Sequence, residues 1–297
     1  MEWSKRWFEG FKGVIREGVP LAPKSHIRIG GPARVYVEPW AEEDAALVLR
    51  VCSEQGLPWV VLGGGSNLLI SDEGVDAVVI AIEAWQRVVK DGNKLVAAAG
   101  ASLPSLLRHA KDAQLAGLEC LIGIPAQVGG AVAMNAGTAT GETFDRITSL
   151  RVVDASGALH TLERDQLAPT YRNGQLGDVL VTTATFELES GKSAQAIQDA
   201  MKEQLQKRNA TQPVTEKSVG CIFKNPPGDA AGRLIQAAGL KGEAIGPIEV
   251  STKHANYFVN KGGGTAAQVL ELIDRVRGRV REDSGIDLEL EVKLWGY

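Results

Sequence analysis

The sequence predicts an α+β fold that is not a Rossmann fold and in which a glycine-rich loop joins two strands. Residues 59–62 are apolar, residues 63–65 are three consecutive glycines, and residues 68–70 are apolar again. A dinucleotide-binding fingerprint needs a further glycine at position 68 followed by a helix, but that position is leucine and the next residues favour a strand. Farther along, strands alternate with few helices, which is typical of an α+β protein rather than a doubly wound one.

The composition of the chain indicates an ordered protein that does not bind nucleic acid. Its 297 residues are 44% hydrophobic, enough for a sizeable core divided over two or three lobes. The 32 basic and 36 acidic residues are scattered and leave a net charge of −4, without a basic arm or stripe. Cys52, Cys120 and Cys221 are far apart and form no Cys-x-x-Cys pair, which predicts reduced thiols in a cytoplasm. No metal-ligand spacing occurs, so we expect no metal site.

The N-terminal segment is apolar at helical spacing. Trp3, Trp7 and Phe11 recur with basic residues between them, which predicts a short helix packed on the body of the protein; an interfacial membrane helix is the alternative. The sequence has no signal-peptide core and no apolar run near transmembrane length. We therefore expect a soluble, cytoplasmic protein without a membrane partner.

The first two thirds of the chain predict short strands and two amphipathic helices. The helix over 41–55 has acidic residues in its first turn and ends before Gly56, and the helix over 102–112 is capped by Ser102. Asp91-Gly92-Asn93 between two strand-like runs predicts a hairpin. Predicted strands cover 34–38, 59–62, 68–70, 77–81, 86–90, 94–99, 147–154, 158–162 and 179–188.

The last third of the chain is predicted to be a separate α+β unit. The stretch over 189–192 is typical of a domain boundary. We predict two cofactor-binding lobes, 1–80 and 81–190, and a further domain over 191–297. Predicted elements of that domain are helices over 194–209, 230–238 and 265–283 and a final strand over 288–294.

Two glycine-rich segments are candidates for a cofactor site. In the first, small polar residues follow the glycines, which suits backbone N–H groups converging on an anion; a plain turn between buried strands is the alternative. In the second, Pro125 can start a short helix whose glycines let a planar ring approach closely; tight helix–strand packing is the alternative. Together they predict an extended cofactor with a diphosphate. Their residues are Gly63, Gly64, Gly65, Ser66 and Asn67, then Gly123, Ile124, Pro125, Gly129, Gly130 and Asn135.

Three side chains outside these segments are candidates for catalysis. Arg172, in a loop-like stretch, can clamp a carboxylate through two hydrogen bonds or can simply lie at the surface. Cys221 is a candidate proton donor or a buried apolar thiol. Alternation places Glu291 on one face of the last strand with Glu289 and Lys293, a face that is either solvent or a site. The four histidines are isolated in the sequence and are not expected to be catalytic.

Six motifs resemble those of the UDP-N-acetylenolpyruvoylglucosamine reductase family. The resemblance covers nearly the whole chain and implies an FAD-dependent, NADPH-consuming reductase of peptidoglycan precursor synthesis. It also implies the bipartite FAD-binding module of the vanillyl-alcohol-oxidase (PCMH) type plus a C-terminal α+β substrate-binding domain, in a shorter form without a capping-loop insertion. The motifs are Arg28-Ile-Gly-Gly-Pro, Leu62-Gly-Gly-Gly-Ser-Asn-Leu-Leu, Gly123-Ile-Pro with Val128-Gly-Gly-Ala and Met134-Asn-Ala-Gly, Tyr171-Arg, Gly220-Cys-Ile-Phe-Lys-Asn-Pro and Glu291-Val-Lys.

The resemblance further implies roles for the candidate residues. Residues 63–67 would bind the diphosphate of a non-covalent FAD, and residues 123–130 with Asn135 would line its flavin. Arg172 matches the family's active-site arginine and Glu291 its catalytic glutamate, while Cys221 occupies the position of the proton donor. The residues in motifs that contact the nucleotide-sugar substrate are Lys224, Asn225 and Gln236.

Three stretches depart from the family's usual pattern. Ala126-Gln127 stands where Gly-Ser or Gly-Thr is usual, Ser25-His26-Ile27 where Thr-Ser-Phe is usual, and Cys221 where serine is usual. Two rival functions are a flavin- or nucleotide-sugar-binding protein without turnover and an oxidase of the same fold that uses oxygen. The first is disfavoured by the intact catalytic positions, and the second by the motif around Cys221.

Overall fold

The computed structural model describes residues 4–297 of the chain. Its α-helices are α1 (Glu42–Gln55), α2 (Leu103–Asp112), α3 (Val128–Ala133), α4 (Ala194–Thr211), α5 (Ala231–Ala237) and α6 (Ala266–Ser284). Its strands are β1 (Val14–Pro20), β2 (Pro32–Glu38), β3 (Trp59–Leu62), β4 (Leu68–Ile70), β5 (Val75–Ala81), β6 (Val88–Asp91), β7 (Lys94–Ala98), β8 (Gly137–Thr138), β9 (Gly141–Glu142), β10 (Ile147–Asp154), β11 (Leu159–Glu163), β12 (Val179–Glu187), β13 (Ser218–Cys221), β14 (Ala244–Ile245), β15 (Ile248–Val250), β16 (Tyr257–Asn260) and β17 (Lys293–Trp295).

The described chain forms two compact units, each assembled from separate segments. The first unit comprises residues 4–17, Val35–Gly64 and Ala77–Gln206. The second unit comprises Gly18–Arg34, Gly65–Asp76 and Lys207–Tyr297. Each has an apolar core of its own. Among residues 4–297, none of the helices combines the length and the hydrophobicity that a membrane crossing requires.

The first unit is built on antiparallel strands. A five-stranded sheet has the order β11-β10-β12-β7-β6, and all of its pairs are antiparallel. In the same unit, β3 runs parallel to β5 with Leu62 opposite Ala81. Leu106 of α2 and Phe186 of β12 are fully buried in the core. The first glycine-rich segment begins directly after β3.

The second unit has a smaller antiparallel sheet in the order β13-β16-β15-β14. The helix α6 packs against α5, β14 and β15. It begins after Thr265, whose hydroxyl accepts a hydrogen bond from the Gln268 N–H, and the Asp72 carboxylate accepts from the Ala266 N–H at 2.9 Å. The last strand, β17, pairs in parallel with β4 and places Lys293 opposite Leu68.

Most of the predicted elements are confirmed, but the N-terminal helix is wrong. The helix over 102–112 is α2, with the Ser102 hydroxyl as its cap, and the predicted hairpin is β6 and β7. At the N-terminus, Lys5–Phe8 forms only a short 3-10 helix and Val14–Pro20 is the strand β1. Trp3 lies outside the described residues. The apolar spacing that suggested a helix thus belongs to two different elements.

The predicted strand over 288–294 is also wrong in extent, since only Lys293–Trp295 is a regular strand. Upstream of it, the Glu291 N–H donates a hydrogen bond to the Ile222 carbonyl, and the Lys224 N–H donates to the Glu289 carbonyl. Glu291 is half-buried whereas Glu289 and Lys293 are exposed, so the three side chains do not share one environment.

Candidate functional site

The two glycine-rich segments meet inside the first unit. A Cβ atom at Gly63 would lie 3.3 Å from the Gln127 Oε1 atom, and one at Gly64 would lie 3.6 Å from the Pro125 carbonyl oxygen. These glycines follow β3, while Gln127 directly precedes α3. The two segments therefore lie close together in the fold, and their FAD contacts stay a prediction.

One buried polar atom in this region suits an FAD-sized ligand. The Gln127 Oε1 atom is buried and accepts no hydrogen bond from any residue in 4–297. An unsatisfied buried acceptor costs about 1–3 kcal/mol, and a donor on a bound ligand would remove that cost. A Cβ atom at Gly130 would meet no atom within 4 Å, so the surface of α3 is open at that point. The unsatisfied Gln127 oxygen and the open space at Gly130 fit a cofactor that carries both polar groups and a flat ring.

Other residues of the second segment have internal roles. Gly129 is buried, and a Cβ atom there would lie 3.0 Å from the Cβ atom of Ala99, the residue after β7, so tight packing accounts for this glycine. Gly123 has φ +77°, a conformation that favours glycine. Pro125 is exposed and does not start the helix, since α3 begins at Val128.

Asn135 holds the turn that carries Arg172. Its side-chain amide donates to the Thr170 carbonyl at 3.2 Å and to the Glu142 Oε2 atom at 2.6 Å, and its Oδ1 atom accepts from the Phe144 N–H. Two residues beyond Thr170, Arg172 has φ +59°, and its guanidinium lies over the Tyr171 ring at 4.9 Å. The structure thus brings Asn135 and the Arg172 turn together, and it assigns the Asn135 side chain to positioning this turn.

The remaining residues of the first segment belong to the second unit. Gly65 has φ +64°, and a Cβ atom there would lie 2.1 Å from the Lys24 carbonyl oxygen, so no side chain fits. The His26 N–H donates to the Gly65 carbonyl at 3.0 Å. Through this bond the unusual Ser25-His26-Ile27 stretch supports the glycine segment. The stretch itself is held by the Ser25 hydroxyl, which donates to the Ile29 carbonyl, and by the fully buried Ile27.

Asn67, Cys221 and Glu291 come together within the second unit. The Asn67 side-chain amide donates to the Glu291 carbonyl at 3.1 Å, and the Glu291 N–H donates to the carbonyl of Ile222, the residue after Cys221. A Cβ atom on Gly220 would lie 4.0 Å from the Ser66 carbonyl oxygen. Residues that are 70 to more than 200 positions apart in the sequence are thereby joined through backbone contacts.

The three predicted substrate residues have different surroundings. The Lys224 ammonium forms an ion pair with the Glu289 carboxylate at 2.5 Å. The Asn225 Oδ1 atom accepts from the Ala231 N–H at 3.0 Å, at the start of α5. Gln236 is exposed on α5. Their contacts with substrate stay a prediction.

Sequence reasoning missed Tyr257, which lies directly opposite Cys221 in the pairing of β13 with β16. Its ring is buried, and its hydroxyl donates to the Gln212 Oε1 atom at 3.0 Å. Burial is the main cause that raises the pKa of Tyr257, and nearby Cys221 and Glu291 raise it further, whereas Arg208 lowers it. No sequence signal could reveal this pair, because it depends on the register of two strands far apart in the chain.

Two family models match separate parts of the chain. Residues 33–163 match the FAD binding domain, and residues 212–295 match the C-terminal domain of UDP-N-acetylenolpyruvoylglucosamine reductase. The chain is 43% identical over 288 residues to the UDP-N-acetylenolpyruvoylglucosamine reductase of Moorella thermoacetica, covering 97% of this chain and 95% of that protein. It is 40% identical over 289 residues to the enzyme of that name from Geobacillus kaustophilus, covering 97% and 94%.

Solved structures give the same result. UDP-N-acetylenolpyruvylglucosamine reductase (MurB) from Thermus caldophilus superposes with a TM-score of 0.81 at 38% identity, covering 96% of this chain and 99% of that one. The BBE-like 1 protein of Physcomitrella patens superposes with a TM-score of 0.50 at 18% identity, covering 63% of this chain and 44% of that one. This second likeness concerns the fold alone.

The fold and the glycine-rich segments define an FAD-dependent oxidoreductase. It has the bipartite FAD-binding module of the vanillyl-alcohol-oxidase (PCMH) type and a C-terminal α+β domain, as the sequence predicts. The chain belongs to the UDP-N-acetylenolpyruvoylglucosamine reductase family. The resemblance drawn from its motifs is confirmed.

Proposed function

We propose that this protein reduces UDP-N-acetylglucosamine enolpyruvate to UDP-N-acetylmuramate for peptidoglycan precursor synthesis, with NADPH as reductant. Similarity to enzymes named for this reaction extends over 97% of the chain. The observation that carries the proposal is that Cys221 and Glu291 both lie near enough to Tyr257 to raise its pKa, while the Glu291 N–H donates to the carbonyl of Ile222, the residue after Cys221. A thiol and a carboxyl group in the same region of the second unit supply a candidate proton donor and a candidate group for stabilising charge. The nucleotide-sugar substrate and the free thiols support a cytoplasmic location.

Each candidate residue has a distinct part in the proposed reaction. When bound, FAD supplies the hydride, taken from NADPH, that adds to C3 of the enolpyruvyl group. Arg172 binds the substrate carboxylate and stabilises the negative charge that develops at C2. Cys221 gives its S–H proton to C2 and is left as a thiolate, which completes reduction of the double bond. Glu291 stabilises the same charge, as its protonated acid or through a water.

The proposed binding roles follow the domain division predicted from the sequence, which differs from the two compact units of the fold. Residues 1–80 and 81–190 are the proposed lobes of the FAD-binding module, and residues 191–297 are the proposed substrate-binding domain. Lys224, Asn225 and Gln236 contact the nucleotide-sugar. The Lys224 ammonium pairs with the Glu289 carboxylate, and the Lys224 N–H bonds the Glu289 carbonyl.

Stopped-flow absorbance of the two half-reactions tests this proposal. Cys221→Ala is expected to leave bleaching of the bound flavin by NADPH at its normal rate, because that step needs no proton from the thiol. Reoxidation by the enolpyruvyl substrate is expected to slow by ~10²–10⁴-fold, the usual effect of losing a general acid. Cys221→Ser restores much of the rate. Cys120→Ala, at the half-buried free thiol of the first unit, is the matched control and leaves both steps unchanged.

Two results would contradict the proposal. Equal slowing of both half-reactions would mean that Cys221 only packs the site, and an unchanged second step would mean that another group supplies the proton. The visible spectrum of the purified protein tests the cofactor separately: we expect bands of non-covalent FAD, released intact on denaturation. Release of FMN, or failure to bind added FAD, would overturn the function.

A further inference from the structure

The phenol of Tyr257 and the thiol of Cys221 form one hydrogen-bonded pair across β13 and β16. The Tyr257 hydroxyl has a single proton, which it donates to the Gln212 Oε1 atom at 3.0 Å. Cys221 raises the pKa of Tyr257, so this contact favours the protonated phenol and makes the sulfur a second acceptor for the same proton. The Gln212 amide oxygen and the Cys221 sulfur therefore compete for one phenolic proton.

The charged and titratable groups around Tyr257 keep its phenol protonated. Tyr257 is 6% exposed, and burial raises its pKa, as do Cys221 and Glu291; only Arg208 acts in the opposite direction. The His254 ring packs edge-on against the Tyr257 ring at 5.0 Å, and burial lowers the pKa of that histidine, which favours its neutral form. Tyr257 consequently acts as a hydrogen-bond donor and not as a source of protons.

We propose that Tyr257 is a positioning residue that sets the acidity of Cys221, with Gln212 as the alternative acceptor of its proton. This inference rests on the proposed role of Cys221 as the proton donor to C2. When the S–H proton moves to C2, a thiolate remains, and the Tyr257 O–H turns from Gln212 to the sulfur and stabilises the negative charge. Tyr257 keeps its own proton throughout, and the thiolate regains a proton from water after the product leaves.

The pH dependence of Cys221 alkylation by iodoacetamide, followed by mass spectrometry of its peptide in the FAD-loaded protein, tests this role. Burial raises the pKa of Cys52 to about 12 and that of Cys120 to about 11, so neither reacts appreciably near neutral pH. Tyr257→Phe removes only the hydroxyl and is expected to raise the alkylation midpoint by about one pH unit, a tenfold change in acidity.

Gln212→Met supplies a test of opposite sign. It removes the competing acceptor while keeping the length of the side chain, so the Tyr257 O–H is donated to sulfur permanently and the Cys221 midpoint is expected to fall. Tyr36→Phe, at a buried tyrosine of the first unit, is the matched control and leaves the midpoint unchanged. If Tyr257→Phe fails to fold, the direction of the Gln212→Met shift decides alone.

The half-reactions separate this inference from the proposed function. Tyr257→Phe is expected to slow reoxidation by the enolpyruvyl substrate about tenfold and to leave reduction by NADPH unchanged. Unchanged alkylation midpoints in both variants would overturn the role of Tyr257, whatever Cys221→Ala shows. Shifted midpoints together with a normal second step in Cys221→Ala would overturn the proton-donor assignment and, with it, the catalytic meaning of the pair.

Discussion

The side-chain amide of Asn67 donates a hydrogen bond of 3.1 Å to the backbone carbonyl of Glu291. In the reverse direction, the Lys293 N–H donates to the Asn67 carbonyl at 3.0 Å. Within the second unit, these two bonds tie the end of the first glycine-rich segment to the chain around the candidate catalytic glutamate. A substitution at Asn67 therefore affects the position of Glu291 through the backbone.

We expect Asn67→Ala to lower the free energy of unfolding by about 1 kcal/mol, the net value of one hydrogen bond, and to lower turnover as well. Urea denaturation measures the first effect and steady-state kinetics the second. Asn93→Ala is the control, because its amide makes a side-chain bond to Glu187 at an exposed position, and it should affect neither quantity appreciably. Normal turnover in Asn67→Ala would show that Glu291 does not depend on this contact.

Gly65→Ala is expected to be far more destabilising than Gly92→Ala. The two glycines have φ of +64° and +60°, so both substitutions incur the left-handed penalty of about 1–2 kcal/mol. At Gly65 the new methyl group also lies 2.1 Å from the Lys24 carbonyl oxygen, whereas at Gly92 it meets no atom within 4 Å. The overlap adds about 1–3 kcal/mol. Equal losses in urea denaturation would show that Lys24 moves away without cost.

Gly130→Ala separates cofactor contact from packing. The methyl group meets no protein atom within 4 Å, so the protein without FAD should be as stable as the parent or more stable by about 1 kcal/mol. If Gly130 lines the flavin, FAD affinity measured by fluorescence quenching falls at least about tenfold, a penalty of about 1.4 kcal/mol. Gly278→Ala, equally open on α6, is the control with unchanged affinity. Unchanged affinity in Gly130→Ala would remove this residue from the cofactor site.

Arg172→Lys is expected to lower turnover by about 10²-fold, because a compact ammonium cannot reproduce a two-bond clamp on the substrate carboxylate. Flavin reduction by NADPH should be affected much less. Arg146→Lys, at a surface ion pair with Glu189, is the control and should leave turnover unchanged. A near-normal rate of enolpyruvyl reduction in Arg172→Lys would mean that Arg172 is an ordinary surface arginine.

The elements that the sequence predicts well are those determined by neighbouring residues. The Ser102 hydroxyl accepts from the Ser105 N–H at the start of α2, and Gly56 ends α1 in a left-handed conformation. Both features depend on residues within one helical turn. Likewise, the hairpin of β6 and β7 follows from its Asp-Gly-Asn turn.

Distant contacts determine the features that the sequence does not reveal. The sequence before β17 resembles a strand. Its path is instead determined by backbone hydrogen bonds with Ile222 and Lys224, which lie far upstream in the chain. That Asn135 lines the flavin stays a prediction, and the sequence does not reveal that its side chain also binds Thr170 and Glu142. The pairing of Tyr257 with Cys221 depends on strand register, which alternation alone leaves undetermined.

The second unit is assembled from three separate chain segments, and this affects when it can fold during synthesis. Ile27 and Leu69, from its two early segments, are buried in the same core as Phe258 and Val276 near the end of the chain. During synthesis these early residues leave the ribosome long before their partners exist, so this unit completes its folding only after the segment from Lys207 to Tyr297 has been made. A chain that stops before α6 leaves apolar residues exposed to solvent, where they promote aggregation and attract proteases.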